Sequence, residues 1–340
     1  MKKNFITLFI LLSMVSVVSA QDPNFSQFFA SPLTLNPAFT GKFDGLFRVA
    51  GNYRDQWPSI NKAFTSGTVS ADFHLLKNNL PDIDRWGIGI LGFTDKNGNG
   101  ALTNNYVSLS TSYHKGLDEN GYHQIGVGFQ GTFTNKRLDV TKVYFEDQLT
   151  ALGFTGVTSE VFNQDDLDVK YFDLNAGVLY NGTTNGYNNF YLGASMYHIN
   201  RPKETFQGGQ FYLNSKTTIH GGGRLPTGQY NAVHFSANYS VQGNATQAMF
   251  GGAYALNLNS DEELPTNLYV GLWARVNNVT DAIIPYIGLE FGEFQLGASY
   301  DINVSSLQPA SNMRGGAEIS LIYIKQPVNR DLKKLNCPKF

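Results

Sequence analysis

Two glycine-rich hexads, one acid–asparagine loop and six histidines are the residues of this chain whose types and spacing could do chemistry. Gly87-Ile88-Gly89-Ile90-Leu91-Gly92 and Gly126-Val127-Gly128-Phe129-Gln130-Gly131 both fit G-x-G-x-x-G. That pattern cradles a pyrophosphate only where it leads from a strand into a helix N-terminus. Both hexads lie inside alternating, strand-like stretches, so their glycines read as places where a strand bends. Asp95-Lys96-Asn97-Gly98-Asn99-Gly100 matches the first half of a calcium loop. The bidentate Glu expected at the twelfth position is replaced by Tyr106, and no flanking helices are predicted. Asp95, Asn97 and Asn99 are thus a weak calcium candidate, set against a hairpin turn built on Asn and Gly.

His74, His114, His123, His198, His220 and His234 show no H-E-x-x-H spacing and no pairing with cysteine at zinc-ligand spacing. No G-x-S-x-G nucleophile elbow occurs. A triad is defined by geometry rather than order, so a hydrolase assembled from separate strands stays open as a third reading. No catalytic, cofactor-binding or firm metal residue is assigned, and the chain is expected not to be an enzyme and to need no cofactor.

The elements around these residues say more than the residues themselves. Lys2 and Lys3 precede an apolar run from Phe5 to Val18, closed by the small residues Val18-Ser19-Ala20. This predicts a signal peptide over 1–20 and a mature start at Gln21. No later stretch approaches the roughly 20 apolar residues of a membrane helix. Charged residues are 15% and aromatics 14%, with net charge −2, so no basic field attracts nucleic acid. The single cysteine, Cys337, excludes an internal disulfide framework and reads as a free thiol.

Alternation of period two recurs along the chain. Ile125, Val127, Phe129 and Phe133 share one face, and Gly126, Gly128, Gln130, Thr132 and Thr134 the other. The rule predicts about 14 strands, near 46–57, 64–74, 85–95, 103–115, 121–136, 169–181, 188–199, 217–224, 231–241, 246–257, 267–277, 283–291, 293–303 and 313–325. Segments of about 10 residues suit tilted strands that cross an outer membrane. The fold class expected is all-β: a transmembrane antiparallel barrel over 46–325, with an N-terminal plug-like or periplasmic segment over 21–45 and a basic periplasmic tail over 326–340. Fourteen strands give a backbone diameter of roughly 28 Å and a lumen of roughly 15 Å. The longest connections, Arg137–Asp168 and Asn200–Lys216, follow odd strands and are expected outside the cell, which puts both termini in the periplasm. The tail carries Arg330, Lys333, Lys334 and Lys339 against Asp331, and Pro327 and Pro338 argue against a strand there.

Particular sequence words add a resemblance. Phe25-Ser26-Gln27-Phe28, Asn36-Pro37, Arg54-Asp55-Gln56-Trp57, Asp95, His114, and Tyr300-Asp301-Ile302-Asn303 are among them, as are Tyr191 to Ser195 with His198, and Gly315 to Leu321. In these the chain resembles the PorP/SprF family of type IX secretion system outer-membrane proteins of Bacteroidetes, over essentially its whole mature length. Its ending, Cys337-Pro338-Lys339-Phe340, resembles that of gliding-motility members. The resemblance implies a protein-binding barrel that helps export or anchor large secreted proteins, such as adhesins, through their C-terminal domains. It implies periplasmic and outer-membrane secretion components as partners, beside outer-membrane lipid. An outer-membrane channel or fatty-acid-type transporter is the alternative that the same barrel geometry allows.

Overall fold

The computed structural model describes residues 22–58, 64–76, 79–151, 153–206, 209–259, 266–277, 281–305 and 311–327. The expected signal peptide, Cys337 and nearly all of the basic tail lie outside the described residues. Among the described residues no helix is long and apolar enough to cross a membrane.

Sixteen strands follow in chain order: β1 Phe47–Gln56, β2 Phe64–Leu75, β3 Arg85–Asn97, β4 Leu102–Gly116, β5 His123–Leu138, β6 Leu149–Thr150, β7 Gly153–Phe154, β8 Asp168–Gly182, β9 Asn189–Tyr197, β10 Lys216–Pro226, β11 Ala232–Gln242, β12 Ala245–Asn257, β13 Thr266–Val276, β14 Ala282–Phe291, β15 Phe294–Asn303 and β16 Arg314–Lys325. All except β6 and β7 form one closed antiparallel barrel of 14 strands, sealed where β1 pairs with β16 from Phe47↔Lys325 to Gln56↔Gly316. Each strand pairs with its sequence neighbours, so short connections suffice. The expected strands are all present, with ends shifted by a few residues. Within the long connection after β5, β6 and β7 make a small hairpin.

The alternation has a clear physical sorting. Val69, Leu109, Phe129, Val270 and Ile319 are exposed, as the outward face of a transmembrane barrel requires. Ser70, Ser110, Gln130, Tyr269 and Ser320, one position away along their strands, are buried inside. β14 shows the rule without interruption, with buried and exposed residues alternating from Ala282 to Phe291.

The barrel has two distinct ends. β1 begins and β16 finishes at one end, with the 76–84, 117–122 and 292–293 connections. The long 139–167 and 198–215 connections share the opposite end.

Candidate functional site

Residues 22–45 precede β1 and lie against the inward-facing side chains along the whole barrel. They contain only single turns, Phe28–Ala30, Pro32–Leu35 and Pro37–Phe39. Pro32 and Pro37 open the second and third turns, where a missing N–H costs nothing. Asn36 caps the third by accepting from the Ala38 N–H at 2.8 Å. Such a segment satisfies few of its own backbone groups, so the wall must supply partners.

The densest partnership involves Ser26 and Gln27. Arg54 of β1 and Arg275 of β13 both donate to Asp301 Oδ2 of β15, at 2.7 and 2.6 Å. Ser26 Oγ donates to Asp301 Oδ1 at 2.7 Å. The backbone N–H groups of Ser26 and Gln27 donate to the two carboxylate oxygens of Glu318 at 2.7 and 3.0 Å. Arg54 also donates to the Asn24 carbonyl at 2.7 Å, and Gln27 is bracketed by Ser299 and Ser320. Two guanidiniums face two carboxylates, all buried, so each charge is paired and hydrogen-bonded as burial demands. Four residues separated by up to 264 positions (54 to 318) thus converge on one dipeptide.

Below it, Phe29 packs on Trp273 and Tyr286 at ring-centroid distances of 4.9 and 5.4 Å. Phe25 meets Phe93 edge-on at 6.3 Å. Further along, Asn36 Nδ2 donates to the Val178 and Ala194 carbonyls at 2.9 and 3.2 Å and lies 2.9 Å from His220 Nε2. This close seat needs glycine in the wall. A Cβ on Gly177 would lie 2.0 Å from Asn36 Oδ1, and one on Gly128 would lie 2.3 Å from the Ala38 nitrogen. A Cβ on Gly87 would similarly strike the Thr40 carbonyl at 2.4 Å. Strand bending therefore does not explain the hexad glycines Gly87 and Gly128; close approach of a second piece of chain does. The Gly41 N–H then donates to Asp72, which Arg48 holds through two bonds at 3.0 and 2.8 Å.

The first described residue is clasped at the long-connection end. Asp22 Oδ2 lies 2.7 Å from His198 Nε2, whose Nδ1 lies 2.8 Å from Asp173. Asp22 N–H donates to Gln242, and Lys216 Nζ donates to Asn24. Burial would lower the His198 pKa, but Asp22 and Asp173 outweigh it and push it up to about 10. Asp22 is correspondingly held well below the usual carboxylate range: burial raises it, and His198 and Lys216 overcome that. Residues 22–45 therefore run the length of the interior, from the long-connection end at Asp22 to the end where Leu46 joins Lys325.

The residues singled out from sequence divide by face. Phe25, Ser26, Gln27, Asn36, Pro37, Arg54, Asp95, His114, Asp301 and Asn303 are buried in the interior. Asn303 bonds Ser311 and Ser305 there, and His114 sits opposite Gly126. Tyr300 points outward, 41% exposed. Gln56 closes β1, and Trp57 follows it with φ +54°, packed on Phe64. Asp95 bonds Ser66 at 2.5 Å inside, whereas Asn99 is exposed in the β3–β4 turn with φ +57°. Among the described residues no group of three His, Cys, Asp or Glu side chains could hold a metal. Sequence reading did not single out Arg48, Asp72, Arg275 or Glu318 as site residues, nor the clasp of Asp22, Asp173 and His198. The signal for Arg48, Asp72, Asp173, Arg275 and Glu318 was a charge at an inward position of an alternating strand, in a chain with few charges.

Comparison with solved structures gives similarities of low identity. The chain is 8% identical to CdiB from Acinetobacter baumannii, covering 82% of this chain and 59% of that one, with a TM-score of 0.48. It is 10% identical to a ΔS2S3 mutant of the TodX monoaromatic hydrocarbon channel, covering 85% and 92%, with a TM-score of 0.49. It is 9% identical to the Ralstonia pickettii toluene transporter TbuX, covering 86% and 92%, with a TM-score of 0.47. No curated protein matches the sequence. Residues 17–323 match the family described as type IX secretion system membrane protein PorP/SprF. The closed 14-strand barrel agrees with that match: the chain belongs to the PorP/SprF family of type IX secretion system membrane proteins.

Proposed function

We propose that this protein works in the outer membrane as a protein-binding component of the type IX secretion system, helping to export or anchor large secreted proteins such as adhesins. Residues 22–45 act as its plug. The observation that carries this reading is the occupied interior: a segment tied by paired charges, aromatic stacking and a glycine bed leaves little free lumen for small solutes. Binding then falls to the surfaces left outside. The 139–167 and 198–215 connections face the cell exterior and contact the C-terminal domain of the cargo, because loops carried on a rigid wall adapt to partners. The end holding Leu46 and Lys325 faces the periplasm, so the tail after residue 325 meets periplasmic machinery. No step needs a nucleophile, metal or cofactor.

The test is recovery of partners from native membranes. Replacing residues 143–163 by a short Gly-Ser linker should leave an assembled barrel and reduce co-purification of secreted proteins at least about tenfold, which corresponds to about 1.4 kcal/mol of binding. Unchanged recovery would overturn the loop assignment. Steady small-solute conductance by the intact protein would favour the transporter reading.

A further inference from the structure

A cavity of about 160 Å³ opens at the barrel end where β16 finishes. Phe29 and Leu35 of the N-terminal segment line one side, and Ile322 and Ile324 of β16 the other. Its mouth is formed by Glu293 in the β14–β15 turn and by Gln326, the residue at which the chain leaves the wall. A dry apolar cavity of about 150 Å³ takes up a benzene-sized group, so this volume suits one leucine or phenylalanine side chain. The chain continuing from Gln326 carries such groups. Leu332-Lys333-Lys334-Leu335 lies six to nine residues on, and six extended residues reach about 20 Å, enough to turn back into the mouth.

Charge favours the same occupant. Asp44, Glu290 and Glu293 line the cavity against one cation, Arg48, which is bound to Asp72. Arg85 and Lys325 approach Asp44 and Glu293 at 3.8 and 3.2 Å, so the four carboxylates Asp44, Asp72, Glu290 and Glu293 stand against the three cations Arg48, Arg85 and Lys325, and this group keeps a net negative charge. The tail brings Arg330, Lys333, Lys334 and Lys339 against Asp331.

We propose that the cavity is the docking site of this chain's own C-terminal tail, with a leucine of the Leu332–Leu335 stretch inside and the adjacent lysines on the rim carboxylates. This inference stands whether or not the barrel exports cargo.

Cys337 is the only cysteine and lies two residues beyond Leu335, so proximity can be read directly in the full chain. Gln295→Cys places a thiol in the cavity lining, and Asn120→Cys places one in an exposed turn at the same barrel end. After mild oxidation of the assembled protein, the intramolecular disulfide with Cys337 should form about tenfold more for Gln295→Cys than for Asn120→Cys, reflecting a raised effective concentration. Adding Leu332→Ser and Leu335→Ser should bring it down to the control level while leaving Phe340 intact. If Gln295→Cys does not assemble, Leu35→Cys reports on the same cavity. Equal yields at both positions, a disulfide joining two copies instead of one, or indifference to the leucine changes would each overturn the proposal.

Discussion

Residues 22–43 and residues 139–167 both lack the alternation of the barrel strands, yet no residue of the first stretch is exposed and most described residues of the second are. Their hydrogen bonds differ in the same way. Gln27 and Asn36 bond to partners 142 to 293 residues away. In the loop, Asp147 gathers Thr158 and Ser159, and Gln148 bonds Thr155, all within twelve residues. Aromatic side chains drive the first stretch inside, through Phe25, Phe28, Phe39 and Phe43. Once inside, its backbone must find partners on the wall. The loop has water for that purpose, and beyond the bonds of Asp139 and Lys142 to Ala101 and Gly100 these ties are local. Irregular chain in this protein is thus of two kinds, one whose conformation is imposed by 14 strands and one that imposes its own.

The largest break in that contrast should come from Asp301→Ala. It leaves Arg54 and Arg275 facing each other without their shared carboxylate, and removing one partner of a buried pair costs about 3–5 kcal/mol. The barrel should still migrate as a folded species, while limited proteolysis cuts within residues 22–43. Continued protection would show that the charges do not hold the segment. Next come Asn36→Ala, which strips donors from two wall carbonyls, and Gly177→Val, which overfills the seat of Asn36. Each should cost about 1–3 kcal/mol in unfolding experiments. Because they act at one contact, the double variant should cost less than the sum, and strict additivity would separate them.

A smaller effect should follow pH at the Asp22–His198 clasp. His198 has a raised pKa, so its contribution is complete below about 6.5 and is lost as pH rises through about 10. Asp22 has a lowered pKa, so its contribution is present above about 3.8 and is lost as pH falls below that. The protection factor of the Asp22 amide, its exchange rate taken against the intrinsic rate at each pH, should therefore be highest between about pH 4 and 6.5 and fall towards pH 10; a protection factor that does not change with pH would show that the clasp does not hold this end. Smallest of all is Asp147→Ala in the loop. It should loosen 155–159 to proteases with no change in protection of residues 22–43.

The wall was legible because alternation is local. Ile125, Val127 and Phe129 announce an outward face without reference to any other strand. The interior was legible only in part. The aromatics of residues 25–39 signalled burial, since they could not stay in water. The partner of Ser26 could not be read, because Asp301 and Glu318 come within reach only after the barrel closes between β1 and β16. Gly128 and Gly177 carried an ambiguous signal, since strand glycines serve bends and close approaches alike. The clasp was hidden for a related reason: His198 lies just beyond β9, and Asp22 reaches it only by crossing the whole interior.

The most direct test of the occupied interior is planar-bilayer conductance of the purified full-length barrel, compared with Asp301→Ala. The wild-type protein should be closed to small ions, and the variant should open once residues 22–45 are released. A wild-type barrel that conducts steadily, at the same level as the variant, would contradict the account.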